Sequence, residues 1–110
     1  MRADVTEGAD IEAVDVTEEL AVEALFARAH RDHGRLDGVV NAAGVAGGGP
    51  VHLLDKAEWD RIISVNLTGT FLTAKHALAV MRTQEPDAVG QRGAIVTIAS
   101  IEGIEGTAGG

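Results

Sequence analysis

Two short groups of residues could bind a ligand where an apolar run of the chain ends. Asp15-Val16-Thr17 closes the run that starts at Ile11, and a carboxylate there can accept a hydrogen bond from an exocyclic amine or a ribose hydroxyl. Turn and capping chemistry is the simpler explanation of these residues. In Asn41-Ala42-Ala43-Gly44, small residues let the backbone pass close beneath a flat ligand. A tight turn that needs glycine is the simpler explanation there.

Two further residues could act on a substrate or a water molecule. Asn66 lies among the apolar neighbours of Ile62–Leu67, where a polar amide costs free energy unless it finds partners. It is either a hydrogen-bonded structural residue or one that interrupts the helical hydrogen-bond ladder and holds a water. Ser100 ends an apolar run before a glycine-rich loop, where its hydroxyl can reach a substrate oxygen. A generic serine at a strand exit is the alternative, and the G-x-S-x-G pattern of a nucleophile is absent.

The composition argues against several classes of function. The chain of 110 residues has 17 acidic and 9 basic residues, a net charge of −8 that repels nucleic acid. It has no cysteine, and therefore no disulfide, thiolate metal site or cysteine nucleophile. His30 and His33 lack a third ligand, so we predict no metal site. No apolar segment resembles a signal peptide or a membrane span. We expect a cytoplasmic protein without membrane or nucleic-acid partners.

The runs between these groups predict strands that alternate with helices. Strands are predicted over Ile11–Val16, Leu36–Asn41 and Ala94–Ile98, the last apolar enough to be buried on both faces. The alternation favours an α/β fold with an open parallel sheet. Ligands of such sheets bind beyond the carboxyl ends of the strands, which is where the candidate groups lie.

The predicted helices have recognisable ends. The first follows Thr17 as N-cap and stops at Gly34. The second starts at Asp55 with the spacing of a capping box, and we expect a break, a kink or a new helix near Gly69. We expect His76 on the surface or on a helix face. The apolar residues after Gly69 share a helical period: Phe71, Leu72, Ala74, Leu78 and Met81.

In order and spacing, these groups resemble the short-chain dehydrogenase/reductase family. Asp15-Val16-Thr17 looks like its adenine-contacting segment, and Asn41-Ala42-Ala43-Gly44 is similar to its Asn-Asn-Ala-Gly signature with alanine in second place. Asp55 through Phe71 resembles the helix with the family's catalytic asparagine. Gly93 through Ser100 resembles the strand that ends in its catalytic serine. The resemblance covers roughly residues 11 to 110.

The resemblance implies an α/β, Rossmann-like doubly wound parallel sheet, present in part with three strands and their helices. It implies an NAD(P)-dependent oxidoreductase that transfers hydride between nicotinamide and a small-molecule carbonyl or secondary alcohol. The intact parent is expected to be a cytoplasmic homo-oligomer. The resemblance assigns catalysis to Asn66 and Ser100, and binding of NAD or NADP to Asp15, Val16, Asn41, Ala42, Ala43 and Gly44.

Two of the family's motifs are missing from residues 1–110. The glycine-rich first turn should precede this segment, and a Tyr-x-x-x-Lys pair should follow Ser100, but the sequence contains no tyrosine. We therefore expect a partial NAD(P)-binding domain that is inactive alone. A truncated, non-catalytic relic is one alternative. A flavodoxin-like binding or signalling domain is another, although it would not require Asn66 and Ser100 together.

The strand order of dinucleotide-binding sheets, 3-2-1-4-5-6, predicts that the isolated chain has low stability. The strands of this chain would be the third, fourth and fifth, so the last two can pair. Ile11–Val16 would lie two absent strands away from Leu36–Asn41. We therefore expect the isolated chain to be marginally stable.

Overall fold

The fold alternates helices and strands as the sequence predicts, with fewer strands. The computed structural model describes residues 9–106 and 108, and within them the sheet has two strands rather than three. In chain order the elements are helix α1 (Glu19–His33), strand β1 (Gly38–Asn41), helix α2 (Lys56–Ile62), a π-helical segment (Ile63–Thr68), helix α3 (Gly69–Met81), strand β2 (Ala94–Thr97) and a short 3-10 turn (Ile101–Gly103).

The two strands run parallel and pair along their whole length. Gly38 lies opposite Ala94, and Asn41 lies opposite Thr97. A parallel pair needs a long crossover, which the helical run from α2 to α3 supplies. Both strands are shorter than predicted, because β1 begins two residues after Leu36 and β2 ends before Ile98.

The strand predicted at Ile11–Val16 is wrong for this structure, because the segment pairs with neither strand of the sheet. An extended segment becomes a strand only when a neighbouring backbone accepts its hydrogen bonds. The segment lies on α1 instead, where Val14 packs against the core cluster and Glu12 forms an ion pair with Arg28. His33 Nε2 lies 3.3 Å from Asp10 Oδ2.

The core lies on one face of the sheet. Val22 and Phe26 of α1 pack with Ala77 of α3, and half-buried residues of both strands complete the cluster. The opposite face is open, since Val40 is 67% exposed and Val96 is 51% exposed. The prediction that Ala94–Ile98 is buried on both faces is therefore wrong.

The ends of the first two helices are close to prediction. Gly34 adopts φ 76°, a left-handed conformation that glycine accepts without strain, and ends α1 as predicted. Asp55 caps α2, because its Oδ1 accepts a 2.8 Å hydrogen bond from the Glu58 N–H. The N-cap predicted at Thr17 is wrong by one residue, since Glu18 occupies that position without a side-chain cap.

Of the break, kink or new helix expected near Gly69, the structure has a new helix, because α3 begins at Gly69. Gly69 keeps right-handed helical angles, and the irregular turn is the π-helical segment before it. Glycine is needed there because a Cβ at position 69 would lie 2.6 Å from Val16 Cγ2. The residue therefore lets the segment before α1 approach α3, which sequence periodicity alone does not reveal.

The buried face of α3 differs from the predicted one. Phe71 and Leu78 are 60% and 55% exposed, so they do not face the core. His76, expected on the surface or on a helix face, lies on the buried face of α3, and its Nε2 lies 3.1 Å from Glu19 Oε1. The side chains that α3 buries are Leu72, Thr73, His76, Ala77 and Met81.

Candidate functional site

The carboxyl ends of β1 and β2 lie side by side, so the segments that follow them leave the sheet together. The Ile98 N–H donates a 3.0 Å hydrogen bond to the Asn41 carbonyl, which extends the pairing to the last residue of β1. Asn41–Gly44 and Ser100 therefore emerge at one edge, as predicted from their positions after the strands.

A cavity of about 500 Å³ lies at this edge, and it contains Asn66, Ser100 and Gly44. Its remaining walls come from both strand ends and from the helical run. They are Ala43, Val45, Ala46, Leu67, Thr70 and Thr97–Ala99. The structure thus brings both predicted catalytic residues to the same cavity.

Asn66 lies in the π-helical segment, and its side-chain amide forms a pair of backbone hydrogen bonds like those of a neighbouring strand. Its Oδ1 accepts from the Val45 N–H at 2.8 Å, and its Nδ2 donates to the Val45 carbonyl at 2.9 Å. Single π-helical turns inside helices are frequent at functional sites. Asn66 thus lies in an interrupted helical ladder and is also hydrogen-bonded through its side chain, so each of the two alternatives is met in part, and the water that it would hold stays a prediction.

A hydrogen-bond chain connects the buried Asn41 to this turn. Asn41 is only 6% exposed, and its Nδ2 donates to Thr70 Oγ1 at 3.0 Å. The Thr70 hydroxyl in turn donates to the Asn66 carbonyl at 2.7 Å. Sequence reasoning missed Thr70, although its position four residues after Asn66 is the spacing at which a hydroxyl reaches back to a helical carbonyl.

The residues between Asn41 and Val45 have small side chains or none, and they are exposed. The Asn41 Oδ1 accepts from the Ala43 N–H at 3.2 Å and fixes the start of this turn. Ala42, Ala43 and Gly44 are exposed. A Cβ at Gly44 would lie 3.4 Å from Asn66 Oδ1, an ordinary van der Waals distance.

The Ser100 hydroxyl is able to donate a hydrogen bond. Its Oγ accepts a 3.1 Å hydrogen bond from the Glu102 N–H at the start of the 3-10 turn. A serine hydroxyl also carries one proton that it can donate. The exposed Ser100 can therefore donate to an oxygen placed in the cavity.

Asp15 and Val16 lie on the other side of the Asn41–Gly44 segment. Val16 lines an apolar cleft of about 420 Å³ together with Asn41, Ala42 and Ala43. Ala43 borders both this cleft and the cavity at Ser100. Except for Asp15, the predicted ligand-binding residues thus follow one another across two adjoining hollows.

The Asp15 carboxylate is held by its own turn and lines neither hollow. Its Oδ1 accepts from the Thr17 N–H at 2.9 Å and from the Thr17 hydroxyl at 2.8 Å. The backbone hydrogen bond, followed by the side-chain one, lowers the pKa of Asp15 below its ordinary value. The carboxylate is therefore ionised at neutral pH, with its other oxygen available as an acceptor.

The described part of the chain contains neither a candidate metal centre nor a membrane-spanning helix. None of its His, Asp and Glu residues form a group of three that could hold a metal ion. Its helices are also too short or too polar to cross a membrane.

Known proteins resemble most of the chain. A family model described as "Enoyl-(Acyl carrier protein) reductase" matches residues 2–110. Inactive 2-(S)-hydroxypropyl-CoM dehydrogenase 2 of Xanthobacter autotrophicus is 47% identical over 92 residues, which are 84% of this chain and 37% of that protein. The chain thus spans little more than a third of that relative's length.

Solved structures share the fold over the same region. A short chain dehydrogenase from Mycobacterium smegmatis superposes with a TM-score of 0.72 and 38% identity, over 81% of this chain and 34% of the other. NAD+-bound xylitol dehydrogenase superposes with a TM-score of 0.75 and 34% identity, over 84% of this chain and 34% of the other. With the family model matched from residue 2 to residue 110, the chain belongs to the short-chain dehydrogenase/reductase family.

Proposed function

We propose that this chain is the central segment of a longer NAD(P)-dependent oxidoreductase, which we call the whole enzyme. The whole enzyme transfers hydride between nicotinamide and a small-molecule carbonyl or secondary alcohol. The observation that carries the proposal is the convergence of Asn66, Gly44 and Ser100 on one cavity at the carboxyl edge of the sheet. A relic or an unrelated binding domain has no need to keep these groups together.

The residues at the sheet edge fit a nicotinamide dinucleotide. Val16 and Asn41–Ala43 line an apolar cleft that suits a flat aromatic base, with the ionised Asp15 nearby as an acceptor. The exposed small residues Ala42–Gly44 leave room for a ribose against the backbone. In this proposal Asp15 and Val16 border adenine, and Asn41–Gly44 lies under the second ribose. When bound, NAD or NADP supplies the hydride acceptor or donor.

Ser100 orients the substrate and polarises its oxygen. The Ser100 hydroxyl accepts from Glu102 N–H, which leaves its proton free for donation to a substrate oxygen. A preformed donor stabilises the negative charge that develops on that oxygen. Asn66, whose amide is fixed on Val45, holds a water near the cavity. The proton itself is transferred by the tyrosine and lysine that the rest of the whole enzyme supplies.

We also propose that the whole enzyme is a cytoplasmic homo-oligomer. Exposed apolar side chains lie on one side of the helical run, with Leu67, Phe71 and Leu78 at 64%, 60% and 55% exposure. Their spacing of four and seven residues places them on the same helix face. A contiguous apolar strip of this kind is typical of a protein contact.

Replacement of Ser100 by alanine in the whole enzyme tests the proposed function. We expect kcat to fall by about 10²–10³-fold, because one oxyanion-type hydrogen bond is lost, while the cofactor KM changes little. The complementary variant, Asp15→Ala, should raise the cofactor KM with a smaller effect on kcat. Steady-state kinetics with NAD and with NADP measure both.

Thr83→Ala is the matched control, because Thr83 is an exposed hydroxyl that bonds only the Val80 carbonyl at the end of α3. Its kinetics should equal those of the unmodified enzyme. A Ser100→Ala enzyme with near-normal kcat would remove the serine from the site. A whole protein that binds neither NAD nor NADP would refute the oxidoreductase proposal.

A further inference from the structure

The loop that leaves β1, residues 44–49, is fastened to the helical run at two points. Asn66 holds its start through both backbone groups of Val45. The second fastening is Arg61 of α2, whose Nη2 donates a 2.9 Å hydrogen bond to the Ala46 carbonyl. The part of the loop that borders the cavity, Gly44–Ala46, therefore lies between two side chains of one continuous helical run.

Glu58 fixes the guanidinium of Arg61 in the orientation that reaches the loop. Arg61 Nε donates to Glu58 Oε2 at 3.0 Å, and Nη2 donates to Oε1 at 2.8 Å. This paired geometry is specific to arginine and a carboxylate. The hydrogen bond from Arg61, the largest cause, and a further one from the Gly48 N–H lower the pKa of Glu58. The pair thus joins two residues of its own helix and bonds the loop at the Ala46 carbonyl.

Gly47 shows how closely the loop approaches this pair. A Cβ at position 47 would lie 2.1 Å from Glu58 Oε1 and 2.8 Å from Arg61 Nη2. Any side chain at this position must displace the carboxylate and the guanidinium. The side chains of the pair are 31% and 45% exposed, and exposed ion pairs contribute little to stability. The contact of the pair with the loop therefore matters more than the contribution of the pair to stability.

We propose that Arg61, oriented by Glu58, is a positioning residue that sets the conformation of loop 44–49 and thereby the surface on which the nicotinamide cofactor lies. The inference rests on the proposed function. Arg61 touches neither the substrate nor the reacting atoms. Arg61 acts through Ala46, which follows the Val45 that Asn66 holds. Loss of the Arg61 side chain therefore shifts the loop backbone that follows Val45.

Kinetics of Arg61→Met in the whole enzyme test this role. We expect the cofactor KM to rise on the order of tenfold, the equivalent of one productive hydrogen bond, with kcat changed less than about twofold. Gly47→Ala should also raise the cofactor KM, because the added methyl group displaces the side chains of Arg61 and Glu58. Arg61→Lys should rescue only in part, since an ammonium cannot form the fork with Glu58.

Lys56→Met is the matched control. It removes an ion pair of the same helix, Lys56 Nζ to Asp60 Oδ2 at 2.6 Å, that does not touch the loop, and its cofactor KM should stay unchanged. Hydrogen–deuterium exchange of the peptide spanning residues 44–49 gives a second readout without cofactor. Exchange there should be faster in Arg61→Met and Gly47→Ala than in Lys56→Met.

The outcomes separate the two proposals. Unchanged loop exchange in both loop variants overturns the positioning role, as does a cofactor KM equal to that of the control. An enzyme that binds neither NAD nor NADP refutes the proposed function, and the exchange comparison then still decides whether Arg61 positions the loop. If Arg61→Met does not fold, Gly47→Ala and Arg61→Lys provide the same comparison.

Discussion

At the residue scale, one buried side chain joins the starts of both strands. Gln84 is 8% exposed, and its Oε1 accepts a 2.6 Å hydrogen bond from the Leu36 N–H. Its Nε2 donates to the carbonyls of Leu36 and Arg92 at 2.9 and 2.6 Å. Leu36 precedes β1 and Arg92 precedes β2, so the amide bridges the sheet at the end opposite to the candidate site.

We expect Gln84→Ala to lower the free energy of unfolding of the whole enzyme by about 1–3 kcal/mol, because it leaves backbone groups without partners. Urea denaturation measures the change. Gln91→Ala, which truncates an exposed glutamine of the same loop, should shift the value by less than about 0.5 kcal/mol. Equal stabilities of the two variants would show that Gln84 does not hold the strands together.

The sequence reveals candidate side chains better than it reveals their partners. Asn41, Asn66 and Ser100 could be found because a polar group beside an apolar run is a local signal. The partner of Asn66 lies 21 residues away, and the partner of Gln84 lies 48 residues away. Such contacts depend on how the elements pack, so neither the Val45 contact nor the role of Gln84 could be predicted.

At the element scale, an acidic residue in the first turn of α1 docks this helix on α3. Glu19 forms an ion pair with Lys75 and lies 3.1 Å from His76 Nε2. These contacts, that with Lys75 first, lower the pKa of Glu19 below its ordinary value of 4.5. A carboxyl with a lowered folded-state pKa stabilises the fold above its unfolded pKa, and the contribution is lost as pH falls through the folded pKa.

Glu19→Gln should therefore be less stable than the unmodified protein above about pH 4.5, and the difference should vanish as the pH falls further. Urea titrations at a series of pH values follow the two curves. Glu23→Gln, one turn further along α1 at an exposed position, serves as the control. A difference for Glu19→Gln that persists unchanged into strong acid would contradict the charge-based docking.

Helix ends follow from local sequence, whereas the first strand and the π-helical turn do not. Gly34 and Asp55 act within one turn of their own helix, so residue preference is sufficient. Ile11–Val16 has a strand-like pattern but pairs with no strand of the described sheet. The turn at Ile63–Thr68 arises where Asn66 binds the loop, a long-range contact that a helical period does not contain.

At the scale of the whole molecule, the chain has the sheet edge with the candidate site, but one face of its sheet is left uncovered. Val40 and Val96 are exposed on the open face, and the chain spans 37% of a relative's length. The marginal stability expected of the isolated chain stays a prediction. A domain retains only about 5–15 kcal/mol in all, and each large apolar side chain left in water forfeits roughly 1.5–3 kcal/mol.

In the proposed function, a nicotinamide dinucleotide lies across the carboxyl ends of β1 and β2. The decisive experiment is a crystal structure of the whole enzyme with NAD+ or NADP+. We expect adenine beside Asp15 and Val16, a ribose above Asn41–Gly44 and the nicotinamide ring facing the Ser100 hydroxyl. A cofactor bound away from this edge, or crystals soaked in either cofactor that show none, would contradict it.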